Sequence, residues 1–330
     1  MNRSVFLGVL GVTVGVVACG GDTTDIAAND AGPDTAVVDT GLQVDTGNPP
    51  PNDSGVTPDT GIPIDDSGTD AIVPVNDAGS FNVGKVTGLA LWLDAAKGVT
   101  QAAGKVSSWA DQSGNNNNAA QSNGNNRPGF TASAINSLPG VHFDMTVQGG
   151  TFMTIVDSPT LSWTTGDYYL VAVARYNNDP QQQGNFTNRF GTLYFKEGQN
   201  PSAGPALFAN TPGNTVTSGF ATQMSNAVAD RLLSTGTGYN DNKGHSFSVH
   251  RGGTTLELRH NGNLDGTKTV TAVDVSAPTV DVTIGAAAGG GFAQARLNGD
   301  IAEVIAVKGA ISGGDLTGIE GYLKAKYALP

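Results

Sequence analysis

From Gly20 to Ser80 the chain has twelve Asp and not one Lys, Arg, Glu or aromatic residue. A packed core needs apolar area. A stretch of Asp, Thr, Pro, Gly, Asn, Ala and Val cannot bury enough of it to offset the entropy lost on ordering. Residues 19–80 are therefore expected to form a disordered, acidic tether, spanning roughly 40–50 Å as a flexible coil. An irregular Asp-small-Gly refrain runs through it at Asp30, Asp39, Asp45, Asp53, Asp59, Asp66 and Asp77, and such steps favour turns. Three of them read Asp-Thr-Gly, the triplet around an aspartic-protease carboxylate. That chemistry needs a second Asp facing the first across a folded cleft. A polar linker offers none, so the protease reading is set aside.

Ahead of the tether, Met1-Asn2-Arg3 is a short positive start and Val5 to Ala18 is uncharged and mostly apolar. Fourteen helical residues reach about 21 Å, too short for a hydrocarbon core of about 30 Å. Residues 1–18 thus read as a signal peptide. They end in Val16-Val17-Ala18-Cys19, followed by Gly20-Gly21, which resembles a bacterial lipobox. That resemblance implies acylation of Cys19, the sole cysteine of the chain. It implies a protein anchored in the cell envelope, at the outer membrane or cell surface, through two or more acyl chains. The rest of the chain, lacking cysteine, can form no disulfide.

The formal charge of −12 belongs almost wholly to the tether. From Phe81 to Pro330 there are 16 Lys and Arg against 17 Asp and Glu. Nucleic-acid binding is excluded there, because phosphate neutralisation needs a basic surface. These 250 residues suffice for a sizeable core. Leu89, Leu91 and Leu93 alternate with Ala90, Trp92 and Asp94, and Val141 and Phe143 alternate with His142 and Asp144. Tyr168 to Tyr176 and Ile301 to Val307 are apolar on both faces, as in strands covered twice. Leu256 and Leu258 alternate with Glu257 and Arg259, and Asn261-Gly262 then supplies a hairpin turn. Only the tail has a helical stripe, Leu316, Ile319 and Leu323, with Asp315 as its candidate cap. The pattern predicts an all-β protein, a sandwich of two antiparallel sheets with a short C-terminal helix over residues 81–330.

Gly88-Leu-Ala-Leu-Trp-Leu-Asp-Ala-Ala-Lys-Gly-Val99 and Val106-Ser-Ser-Trp-Ala-Asp-Gln-Ser-Gly-Asn-Asn-Asn-Asn-Ala-Ala-Gln121 resemble the opening of bacterial LamG-like, concanavalin A-like jelly-roll domains. Leu138-Pro-Gly-Val-His-Phe-Asp144 is similar to the next strand of that pattern. Leu297-Asn-Gly-Asp-Ile-Ala-Glu-Val-Ile-Ala-Val307, with the tail Gly321-Tyr-Leu-Lys-Ala-Lys-Tyr-Ala-Leu329, resembles its close. The tether resembles linkers of myxobacterial surface lipoproteins. Residues 177–245 match little. The resemblance implies fold and compartment; members bind sugars, proteins or nothing yet identified, so function has to come from the site.

The search for chemistry excludes more than it finds. Glycoside hydrolysis needs two carboxyls roughly 5–10 Å apart. Laminarinase relatives of this fold carry them as Glu-x-Asp-x-(x)-Glu. The four Glu residues, Glu197, Glu257, Glu303 and Glu320, form no such motif. Asp300 and Glu303, three apart on a strand, are expected to point to opposite faces and to serve structure. The four His residues lack zinc-type partners in sequence. Two features remain. The loop Asp111-Gln-Ser-Gly-Asn-Asn-Asn-Asn118 gathers oxygen ligands around a Gly, so Asp111, Asn115 and Asn117 are candidate calcium ligands, with a solvated Asx-rich turn as the alternative. Tyr194, Phe208, Phe220 and Tyr239 lie amid Asn, Gln and Thr, the mixture that grips sugars. Tyr194 and Tyr239 are the candidate ligand-binding residues, with ordinary core packing as the alternative. Trp92 and Trp109 are assigned to the core; Trp163 sits in a polar stretch.

The expectation is a lipid-anchored, non-catalytic surface module binding a glycan or another envelope or extracellular ligand. No cofactor is called for; a structural calcium ion at Asp111, Asn115 and Asn117 is the one candidate. A polysaccharide hydrolase or lyase using residues of 177–245 is the alternative, and a structural or adhesion protein with protein partners is the second.

Overall fold

The computed structural model describes residues 81–181, 190–197, 203–211, 217–225, 230–271, 273–289 and 292–330. The signal segment 1–18, Cys19 and the tether 19–80 lie outside the described residues.

Two antiparallel sheets form a β-sandwich, as the alternation predicts. One is eight-stranded and centred on Gly299–Lys308, which pairs with Tyr168–Tyr176, Leu138–Phe143 and Leu89–Asp94. Beyond Tyr168–Tyr176 follow His245–Gly252, Thr255–His260 and Asn263–Thr269, and Gly129–Ile135 forms the other edge. The other sheet is nine-stranded and runs from Arg231–Leu233 through Phe220–Ser225, Ala203–Ala209, Gly191–Phe195, Val282–Ile284, Met153–Ile155, Ala119–Ala120 and Lys105–Trp109 to Val99–Ala102.

The two-sided strand Tyr168–Tyr176 explains the layering. Tyr168, Leu170, Ala172 and Ala174 face the other sheet and pack with Trp109, Leu207, Phe220 and Ile284. Tyr169, Val171 and Val173 face the opposite way, against Leu316, Ile319, Leu323 and Tyr327 of the C-terminal helix Gly313–Tyr327. The eight-stranded sheet is thus covered on both faces, which is why its central strands carry no polar alternation.

Three local expectations are refined. A register shift between Leu89 and Leu91 breaks the strict alternation, so Leu91 and Leu93 join the core between the sheets while Leu89 packs with Trp92 on the helix side. The helix cap is Ser312, not Asp315: its Oγ accepts from the Asp315 amide and donates to the Asp315 carboxylate. Trp163 is core, with 1% of its surface exposed. The turn Asn261-Gly262 has positive φ at both residues, 49° and 81°, as a tight hairpin requires.

Candidate functional site

The loop after Arg231–Leu233 leaves one sheet and enters the other at His245, crossing the rim of the sandwich. It carries Tyr239, half-buried, with Asp241 and Asn242 exposed beside it. The Tyr239 ring stacks on His260, with centroids 4.0 Å apart and planes at 28°, and leans on Phe220 and Phe247 of the core. Its hydroxyl donates to Asp265 Oδ2 at 2.8 Å. Asp265 Oδ1 accepts from the Thr235 and Gly236 amides, which fixes the loop's first turn on the edge strand. Burial, and then the Asp265 carboxylate, raise the Tyr239 phenol above its usual range, so it stays a donor.

Behind the tyrosine runs a chain of rings. Asp241 Oδ1 lies 2.9 Å from His245 Nε2, and His245 Nδ1 lies 2.9 Å from His260 Nε2. An ionised Asp only accepts, so His245 keeps its proton on Nε2 and, while neutral, accepts from His260 at Nδ1. Burial alone would raise Asp241; the His245 contact and the Lys243 amide hold it below the ordinary carboxylate range. His260 is pushed down to about 4, first by burial and then by the facing His245. Sequence reasoning missed this pair. The two histidines are fifteen residues apart, on neighbouring strands, and only the hairpin register joins them.

The other candidates fall elsewhere. Tyr194 is 1% exposed in the core and accepts a hydrogen bond from Trp163 Nε1, so it presents no ring face to a ligand. This corrects the expectation for Tyr194: the strand Gly191–Phe195 turns it inward opposite Leu207. Asp111 and Asn117 spend their side-chain polar atoms on the protein itself, and so does the side-chain nitrogen of the exposed Asn115. Asp111 Oδ1 accepts from the Trp92 and Ser113 amides, and Oδ2 accepts from Ser113 Oγ and the Asn117 amide. Asn115 and Asn117 donate to the carbonyls of Leu89 and Ala90, and Asn117 Oδ1 accepts from Ser158. The loop is knit by Asx contacts, and among the described residues no group of three or more His, Cys, Asp or Glu gathers as a metal site. Asp94 and Asp144, which the loop would need for extra charge, bond Lys326 and Thr146 instead.

A second carboxyl stands out on the nine-stranded sheet. Glu197 is 6% exposed, its Oε2 accepts from Gln223 Nε2, and its Oε1 is buried with no partner among the described residues. Gln223 Oε1 in turn accepts from Arg231 Nε at 3.1 Å, which fixes the amide's orientation. Burial pushes the Glu197 carboxyl above its ordinary value, against the pull of Gln223 and Arg231.

No family model matches this chain, and no curated protein matches it in sequence. Solved structures do share its architecture. The binding domain of Paraclostridial Mosquitocidal Protein 1 superposes with a TM-score of 0.50 at 10% identity, over 72% of this chain and 52% of that one. The chain thus spans about half the length of that structure. Domain 4 of AbnA, a GH43 extracellular arabinanase from Geobacillus stearothermophilus, in complex with arabinotriose, gives 0.45 at 11% identity, over 71% of this chain and 98% of that one. An arabinofuranosidase complexed with arabinofuranosyl-alpha-1,2-xylobiose gives 0.47 at 13% identity, over 68% and 51%. At 10% identity the likeness to the mosquitocidal-protein domain is one of fold.

Proposed function

We propose that this protein is a surface-displayed module that binds a saccharide or a similar hydroxyl-rich extracellular ligand at the rim around Tyr239, without cleaving it. One observation carries the reading: a half-buried tyrosine, backed by a stacked imidazole, stands beside the exposed polar side chains of Asp241 and Asn242. Aromatic faces take the C–H side of a sugar and carboxylates and amides take its hydroxyls. The fold, shared with the binding domain of a mosquitocidal protein, is compatible with that role. A glycan array probed with the wild-type chain and with a Tyr239→Leu, Asp241→Ala variant tests it. Binding lost in the variant supports the site; an array blank for wild type, or equal binding by both, contradicts it.

The catalytic alternative rests on Glu197. A carboxyl raised by burial is what a general acid needs. Release of reducing sugar by the wild type, abolished by Glu197→Gln, would establish it over the binding-only reading.

We also propose that Cys19 is acylated and that residues 19–80 hold the domain away from the envelope. The lipobox resemblance and the composition of the tether support this. Cys19→Ser is expected to move the protein out of the membrane fraction or to block its processing; an unmodified N-terminus beyond Cys19 in wild-type protein contradicts it.

A further inference from the structure

The stretches at the two ends of the domain sequence, Leu89–Asp94 and the tail, meet in space. Asp94 closes the first strand and lies opposite Glu303 in the sheet register. Lys326, on the last turn of the C-terminal helix, reaches down to both. Its Nζ lies 2.8 Å from Asp94 Oδ2 and 2.7 Å from Glu303 Oε2. Both carboxylates are withdrawn from solvent, with side-chain exposures of 1% and 0%. Aromatic residues wall the group: Trp92 Nε1 and Tyr327 Oη donate to Glu303, and Lys326 lies over the rings of Tyr322 and Tyr327. The Ala96 amide donates to Asp94 Oδ1 at 3.0 Å.

We propose that Lys326 Nζ and Asp94 Cγ condense to an isopeptide bond, with Glu303 as the acid–base group. An ammonium and a carboxylate, held in contact where water is scarce, contain every atom of an amide plus one water. The ammonium gives up a proton to Asp94, and the freed amine attacks Asp94 Cγ. The Ala96 amide faces Oδ1, where negative charge builds in the tetrahedral intermediate. Glu303 takes a proton from the nitrogen and returns it to Oδ2, and the C–Oδ2 bond breaks to release water. Nothing is oxidised or reduced, and Glu303 ends as it began. Burial raises Glu303, with Lys326 opposing and Asp94 adding to the rise, which suits a carboxyl that must carry a proton. Burial alone would lower Lys326, and the two carboxylates more than reverse this. The resting pair is therefore ionic, and condensation is expected to be slow and to follow folding.

The geometry selects this lysine. Lys97 lies 3.8 Å from the same Asp94 oxygen but is 56% exposed. The buried Lys196 touches Asp157, yet its other described partners are the carbonyls of Ala277 and Val280, so no second carboxyl stands ready to move a proton. The bond would join the first strand to the last helix of a domain with no cysteine from Phe81 to Pro330.

Tryptic mapping of the full chain under denaturing conditions decides it. The expected product is one branched peptide, residues 86–97 joined to 325–330, lighter by one water than the two together. Lys326→Arg keeps the charge but not the nucleophile. It is expected to return residues 86–97 as a free peptide, and Glu303→Gln to reduce the branched species at least tenfold. Free 86–97 as the main species from folded wild-type protein, with cleavage after Lys326, overturns the proposal. So does a free 86–97 peptide lighter by one water, the mark of a succinimide at Asp94. Because the wild type alone supplies the decisive reading, misfolding of a variant cannot obscure it.

Discussion

Two histidines respond to pH in opposite directions because of what each one touches. His260 is held at about 4, from 6.5, by burial and the facing His245. Between those values the unfolded chain binds a proton that the folded chain refuses, so this residue makes stability fall as pH drops from about 6.5 to 4. His142 is raised by its contact with Asp300, whose other oxygen takes Arg175 Nε at 2.7 Å. Its contribution is complete below the unfolded value and fades as pH rises through the folded one. His260→Gln is expected to flatten the acid-side loss. In urea melts at pH 7 and pH 5, wild type should lose about 1 kcal/mol more than the variant, after allowance for solvent at a half-buried ring. Equal losses would place the acid sensitivity elsewhere. At this scale the sequence was least legible. Tyr194 and Tyr239 have the same chemistry and similar polar neighbourhoods, and only the strand register turns one inward and leaves the other at the rim. The Asp111 loop was legible as an Asx-rich turn, but the carbonyls that take its asparagine side-chain nitrogens belong to Leu89 and Ala90, more than twenty residues away.

Elements were far more legible, because periodicity is local. The two-sided strands Tyr168–Tyr176 and Gly299–Lys308 sit at the centre of their sheet, as their lack of alternation requires. Where the reading slipped, the cause was a single residue. One bulge moved Leu89 to the helix side, and the helix began at Ser312, three residues before the Asp expected to cap it. Ser312→Ala removes the acceptor for the Asp315 amide and is expected to cost about 1 kcal/mol. The loss should appear as a lower urea midpoint with an unchanged slope, since the cap does not alter how much surface unfolds. An unchanged midpoint would mean that packing of Leu316, Ile319 and Leu323 alone sets the helix start. Gly285 shows a constraint invisible in sequence: its φ is +90°, and a Cβ there would lie 2.0 Å from the Phe143 ring.

For the whole molecule, fold and function separate. Alternating strands specified a sandwich, and the sandwich offers two sheets, a helix and a rim on which many activities could be built. What narrows the choice is exposure. The buried acids Asp300 and Glu303 are fully engaged by Arg175, Thr131 and Lys326, whereas Tyr239 stands at the rim with exposed polar neighbours. The most direct measurement is calorimetric titration of wild-type protein and of Asp241→Ala with the saccharide that scores highest on the array, followed by assay of the same samples for new reducing ends. Wild-type binding weakened at least tenfold by the substitution, with no new reducing ends, is the predicted result. Equal affinity in both proteins, or cleavage of the saccharide by the wild type, would contradict the account.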